Sequence, residues 1–135
     1  MLMKRLIVLA LIILLPGCAM LQPRPAEEVV AERALERWAA IAERDFATAY
    51  EYLSPGAKQL QSEGAYAEQM RRSMVRWNGA EVTDVSCDET RCEVRVEIAV
   101  TVIGALQGAR RVNTTAPANE TWLKSGRKWY FVPQR

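Results

Sequence analysis

The sequence predicts an α+β domain in which N-terminal helices pack on a curved antiparallel sheet and close a cone-like pocket. Three patterns carry that expectation. Val30, Ala34, Trp38 and Ile41 recur at spacings of four, four and three, as on one face of a helix. Residues 93–103 alternate strictly, with Val94, Val96, Ile98, Val100 and Val102 on one side and Glu93, Arg95, Glu97 and Thr101 on the other. Cys87 and Cys92 bracket four polar residues between two strand-like runs. Helices first and antiparallel strands afterwards is the order of an α+β arrangement, not of alternating βαβ units.

Before the domain comes a leader, residues 1–17. Lys4 and Arg5 make a basic start, and residues 6–15 are an unbroken apolar run. At roughly 1.5 Å per residue such a run covers about 15 Å, half of a hydrocarbon core, so it reads as the h-region of a signal peptide and not as a membrane span. It ends Leu15-Pro16-Gly17-Cys18, which resembles the lipobox of bacterial lipoproteins. The resemblance implies cleavage before Cys18 and acylation there by palmitate-like chains, with membrane attachment through them. Ala19, not Asp, follows the cysteine. By the sorting rule of such lipoproteins this implies the periplasmic face of the outer membrane, with the inner membrane as the alternative. Residues 18–26 are then an acylated tether, extended by Pro23 and Pro25.

Composition narrows the chemistry. The chain has 18 Lys+Arg against 16 Asp+Glu, but Lys4 and Arg5 account for the excess, so residues 18–135 carry no net charge. Overall neutrality makes no case for a nucleic-acid partner. The absence of histidine excludes Ser-His-Asp and Cys-His nucleophiles and the usual zinc sites, so neither metal nor cofactor is expected. With Cys18 acylated, Cys87 and Cys92 remain as an even pair, which suits an oxidising compartment. Their spacing is not CxxC and no further ligands accompany them. A structural disulfide across a hairpin is therefore expected, contributing about 2 kcal/mol.

Within the domain, residues 27–135, the first helix has Ala31, Leu35 and Ala42 widening its apolar stripe. Glu28, Glu32, Glu36, Arg33 and Arg37 are assigned to the opposite face. Asp45 is the expected N-cap of a second helix that buries Phe46, Ala49, Tyr50 and Leu53, and Ser54-Pro55-Gly56 is expected to stop it. Residues 57–61 read as one turn, Gly64 as a break, and residues 65–73 as a third helical piece with Tyr66 and Met70 inward. Strands follow at residues 81–86 and 93–103, then a turn at 104–108. Segments 111–115 and 119–124 read as a strand interrupted near Pro117, and a turn at Ser125-Gly126-Arg127 leads to a last strand at 128–132.

The run Asp45-Phe46-Ala47-Thr48-Ala49-Tyr50-Glu51-Tyr52-Leu53-Ser54-Pro55, preceded by the helix bearing Trp38, resembles the cone-lining helices of the NTF2-like superfamily (the SnoaL and ketosteroid-isomerase type). The closing pair Glu120-Thr121-Trp122-Leu123 and Trp129-Tyr130-Phe131-Val132-Pro133 resembles the ending of its sheet. The resemblance spans residues 27–133 and rests on packing residues. It implies a cone-shaped pocket and, for this fold type, a homodimer through the sheet.

The candidate pocket residues are Trp38, Tyr50, Tyr66, Met70, Val96, Ile98, Trp122 and Trp129. They suit a non-catalytic domain that holds a small apolar ligand or docks onto another envelope protein. Members of the superfamily with isomerase or dehydratase activity set the alternative: a pocket enzyme with Asp45 as its base and Tyr50 or Tyr52 as the phenol beside it. No residue set here matches such a catalytic constellation, so no catalytic residue is assigned. Arg71, Arg72 and Arg76 form a local basic cluster, read as a solvated helix face, with contact to carboxylates or phosphates as the alternative.

Overall fold

The computed structural model describes residues 22–106 and 109–134. The leader and residues 18–21 of the tether, Cys18 among them, lie outside the described residues. Among the described residues four helices precede four strands: α1 (Ala26–Ala42), α2 (Phe46–Glu51), α3 (Pro55–Leu60), α4 (Glu63–Arg71), β1 (Val75–Cys87), β2 (Arg91–Leu106), β3 (Ala109–Ser125) and β4 (Lys128–Val132). The strands form one antiparallel meander in the order β1-β2-β3-β4. No described helix is long and apolar enough to cross a membrane.

α1 buries Val30, Ala34, Trp38 and Ile41, the four residues that define its period. Leu35 is exposed, however, and Arg37 is buried among the apolar residues. The stripe therefore runs through Val30, Ala34, Arg37 and Ile41, and Arg37 does not belong to the solvent face. Arg33 also turns inward: its Nε donates to the Trp129 carbonyl at 2.8 Å, and its guanidinium lies 4.8 Å from the Tyr52 ring centroid. Both arginines tie α1 to the sheet.

Asp45 caps α2 as expected, accepting from Thr48 N at 3.1 Å and Thr48 Oγ1 at 2.7 Å. The next punctuation works the other way. Ser54 and Pro55 begin α3, with the Ser54 hydroxyl accepting from Ala57 N and the proline at the first turn, where no N–H is needed. Ser62 likewise caps α4, which contains Gly64 instead of starting after it. Between α2 and α3 the chain pairs with the outer edge of β4: Phe131 N donates to the Tyr52 carbonyl and Ser54 N to the Phe131 carbonyl, both at 2.8 Å.

On β2 the alternation is as read: Val94, Val96, Ile98 and Val100 are buried, and Glu93 and Arg95 are exposed. β1 begins six residues earlier than expected. Its register shifts between Trp77 and Gly79 and again between Val82 and Asp84, and Gly79 at φ 135° occupies backbone space that a side chain would strain. These shifts break the alternation that would have marked the strand's start. β2 continues to Leu106 through a register shift after Ile103, so residues 104–106 of the expected turn belong to the strand; residues 107–108 lie outside the described residues. β3 runs unbroken through Pro117, paired with Glu97. Since β4 covers β3 only from Thr121 to Ser125, Pro117 sits on a free edge, where a missing N–H is tolerated. Gly126, at φ 61°, makes the β3–β4 turn.

Cys87 and Cys92 face each other in register at the end of the β1–β2 hairpin and are joined by a disulfide. Asp88 shapes the intervening turn by accepting from the backbone N–H groups of Thr90 and Arg91, which hold its carboxyl below the usual carboxylate range. Replacing both cysteines by serine should leave the fold intact and lower its stability by about 2 kcal/mol in urea denaturation. The oxidised wild-type chain should show Cys87 linked to Cys92 in a peptide map made without reductant.

Candidate functional site

Arg37 of α1 and Glu120 of β3 meet inside the curve of the sheet, only 4% and 2% exposed. Arg37 Nη2 donates to Glu120 Oε1. The same oxygen accepts from Trp38 Nε1 at 2.7 Å, and Oε2 accepts from Trp122 Nε1 at 2.9 Å. The Arg37 guanidinium rests 3.8 Å from the Phe131 ring centroid and 4.8 Å from that of Trp38. A buried ion pair is tolerated only with good geometry and further hydrogen bonds to its remaining atoms, and two indoles supply them on the carboxylate side.

Above this pair opens a cleft of about 300 Å³. Trp38, Ile41, Tyr66, Met70, Trp77 and Ile98 form its apolar wall, with Arg37, Glu120 and Phe131 below. Tyr66 is 8% exposed, and its hydroxyl has no hydrogen-bond partner among the described residues. Burial pushes the phenol above its ordinary pKa, and the adjacent Arg37 guanidinium partly offsets this by its positive charge and by a donor close to the phenol oxygen. The Arg37 Nε–H is likewise without a partner. An apolar wall with a buried charged floor and an unanswered hydroxyl can hold a mainly apolar molecule by one polar group.

Of the residues expected in the pocket, Trp38, Tyr66, Met70 and Ile98 line the cleft. The other four do not. Trp122 is fully buried and reaches the site only through its bond to Glu120. Val96 is core. Tyr50 turns toward α3, donating to the Gln61 carbonyl at 2.8 Å, with its ring 5.7 Å from that of Tyr66. Trp129 lies toward the other end of the domain, beside Ala26 and Thr90. These four were misplaced because β periodicity and core spacing give a side chain's facing but not its depth.

Arg37 and Glu120 were missed outright. The available signal was an arginine at a core position of α1 together with a glutamate two residues before an inward tryptophan on β3. Opposite charges on two inward faces point to a buried pair.

The grouping of Asp45 with Tyr50 or Tyr52 is not assembled. Asp45 is exposed outside the cleft, and its bonds to Thr48 hold the carboxyl below the ordinary range. The Tyr52 hydroxyl donates to Glu36 at 2.9 Å. A second, larger groove of about 660 Å³ lies between α3 and the opposite face of β3–β4, walled by Pro55, Ala57, Leu60, Leu123, Tyr130 and Val132. Among the described residues, no three His, Cys, Asp or Glu side chains cluster in a way that would hold a metal.

No family model matches the chain, and no curated protein matches its sequence. Solved structures do resemble it. A SEC-C motif-containing protein from Rhodopseudomonas palustris superposes with a TM-score of 0.57 at 20% identity, over 72% of this chain and 70% of that one. A sec-c motif-containing protein from Psychrobacter arcticus gives 0.58 at 13% identity over 83% of this chain, which spans 63% of its length. A putative dehydratase of the NTF2-like family from Streptomyces avermitilis gives 0.54 at 14% identity, over 79% and 95%. At such identities the likeness speaks for the fold alone, and the fold is α+β of the NTF2-like type.

If the buried pair is held as described, Arg37→Ala should destabilise the domain by roughly 3–5 kcal/mol, because it strands Glu120 without a counter-charge. Combining Arg37→Met with Glu120→Gln should cost less than the two changes summed, since each single change strands a buried charge and the double change strands none. Urea unfolding of the single and double variants measures both effects.

Proposed function

We propose that this chain is a lipoprotein carried by acyl chains on Cys18 at the periplasmic face of the outer membrane, and that its domain is a non-catalytic module binding a small apolar ligand in the cleft above Glu120. The observation that carries the binding function is the Tyr66 hydroxyl, buried at a largely apolar cleft with no hydrogen-bond partner among the described residues. A ligand oxygen placed there would satisfy the hydroxyl while the ligand's apolar body displaces water from Trp38, Met70 and Ile98. The engagement of Glu120 also favours binding over chemistry. Oε1 takes two donors and Oε2 one, so both oxygens are held by side chains of α1 and β3 and the carboxylate serves as a support.

The anchor rests on the Leu15-Pro16-Gly17-Cys18 signature and the apolar run before it. Docking onto another envelope protein is a second function, favoured by the groove at α3. There Leu60 is 71% exposed beside Leu123, more apolar surface than a helix end of this size needs.

Thermal denaturation against fatty acids and aromatic carboxylic acids tests the cleft. A ligand at about one hundred times its Kd should stabilise the domain by about 2.7 kcal/mol, visible as a higher Tm. Met70→Trp, which fills the cleft from its half-buried rim, should abolish the shift; an equal shift in that variant would place the ligand elsewhere. For the anchor, Cys18→Ser should move the protein from the membrane to the soluble fraction of fractionated cells, and retention at the membrane would refute acylation.

A further inference from the structure

The neutral balance of residues 18–135 hides a marked segregation of charge. Residues 69–80 and 98–119 contain Arg71, Arg72, Arg76, Arg110 and Arg111 and not one acidic residue. The fold brings these two stretches together at one end of the sheet. Val75 pairs with Val102 and Val102 with Val112, and Ile103 N donates to the Met74 carbonyl at 3.2 Å. Compensating acids, among them Asp84, Asp88, Glu89 and Glu93, lie toward the disulfide end of the hairpin, where α1 also begins near Thr90. At roughly 3.3 Å per residue the thirteen residues of β1 set the two ends about 40 Å apart along the strand.

On the convex face of this basic end, Arg76, Asn78, Thr101, Ile103, Arg111 and Asn113 enclose a shallow depression of about 300 Å³. Its floor is a fixed ladder across three strands. Asn78 Nδ2 donates to Thr101 Oγ1 at 2.9 Å, and that hydroxyl donates to Asn113 Oδ1 at 2.8 Å. With its oxygen occupied, Asn113 presents its amide N–H groups, flanked by two guanidiniums. Arg76 and Arg111 make no ion pair among the described residues, whereas Arg72 is engaged by Glu68. The rim is apolar: Met74 is 67% and Ile103 48% exposed.

We infer that this end of the domain is a docking surface for a protein segment that presents carboxylates around an apolar residue. Guanidiniums beside a donor amide match carboxylate oxygens in number and geometry. Arginine and methionine without lysine is the composition of a protein interface. The inference goes beyond ligand binding in the cleft, which opens on the opposite face of the sheet. One supporting point rests on the lipoprotein proposal: α1 begins near the disulfide end, so the anchor would enter the domain at the end opposite the basic one, which favours a protein over lipid headgroups.

The test uses the purified full chain, a fluorescent peptide of alternating glutamate and leucine, and vesicles containing phosphatidylglycerol. The peptide should bind, weaken with salt, and lose at least about tenfold in affinity to R76E/R111E, while K124E/K128E near the other end changes it less than about twofold. Both variants alter exposed residues, and unchanged circular dichroism confirms that they fold. Equal losses in the two variants, or no binding by the wild type, would overturn the proposal. So would preferential binding to the vesicles through Arg76 and Arg111, or sedimentation showing that the basic end instead joins a second copy of the chain.

Discussion

A glutamate placed on the inner face of a β-sheet is costly to bury, and in this domain that cost determines which parts of the chain must come together. Glu120 is surrounded by apolar residues on β3 and needs a counter-charge and donors from elsewhere. α1 supplies Arg37 and Trp38 at successive positions, and β3 itself supplies Trp122 two residues on. In the observed placement of α1 across the concave face, Arg37 and Trp38 both reach Glu120 while Val30, Ala34 and Ile41 are buried, so the polar contact and the apolar stripe specify the same rotation of the helix. Arg33 reinforces the choice one turn earlier by bonding to the Trp129 carbonyl.

That arrangement also shapes the cleft. The guanidinium is pinned between Phe131 and Trp38, so the floor is rigid and charged but internally neutralised. Tyr66 approaches from α4 beside Arg37, and its hydroxyl reaches no hydrogen-bond partner among the described residues. One cluster thus carries both the bonds that hold α1 on the sheet, made by the indoles, and the phenol on which the proposed ligand binding rests.

Much of the fold was legible in the sequence because its signals were periodic. The stripe of α1, the alternation of β2, the cap at Asp45 and the paired cysteines each had a local cause that the structure keeps. What escaped was non-local. Ser54-Pro55 and Ser62 signal a helix start as well as a stop, and only the pairing of Tyr52 and Ser54 with β4 decides between them. β1 was read short because two register shifts disrupt its alternation. The cleft was half legible: Trp38, Tyr66, Met70 and Ile98 follow from facing alone. The depth of Val96 and Trp122, and the burial of Arg37, depend on what lies opposite. Of the charge pattern the local cluster Arg71, Arg72 and Arg76 was legible, whereas its joining with Arg110 and Arg111 into one basic end needs the hairpins to fold.

The most direct test of the buried network is hydrogen exchange at the two indole N–H groups that hold Glu120. In an NMR exchange experiment the Trp38 and Trp122 indole protons should exchange only as fast as the whole domain unfolds, in step with the slowest core amides of β2. Rapid exchange of either proton while the β2 amides stay protected would show that Glu120 is not held as described, and would remove the contact that fixes α1 on the sheet.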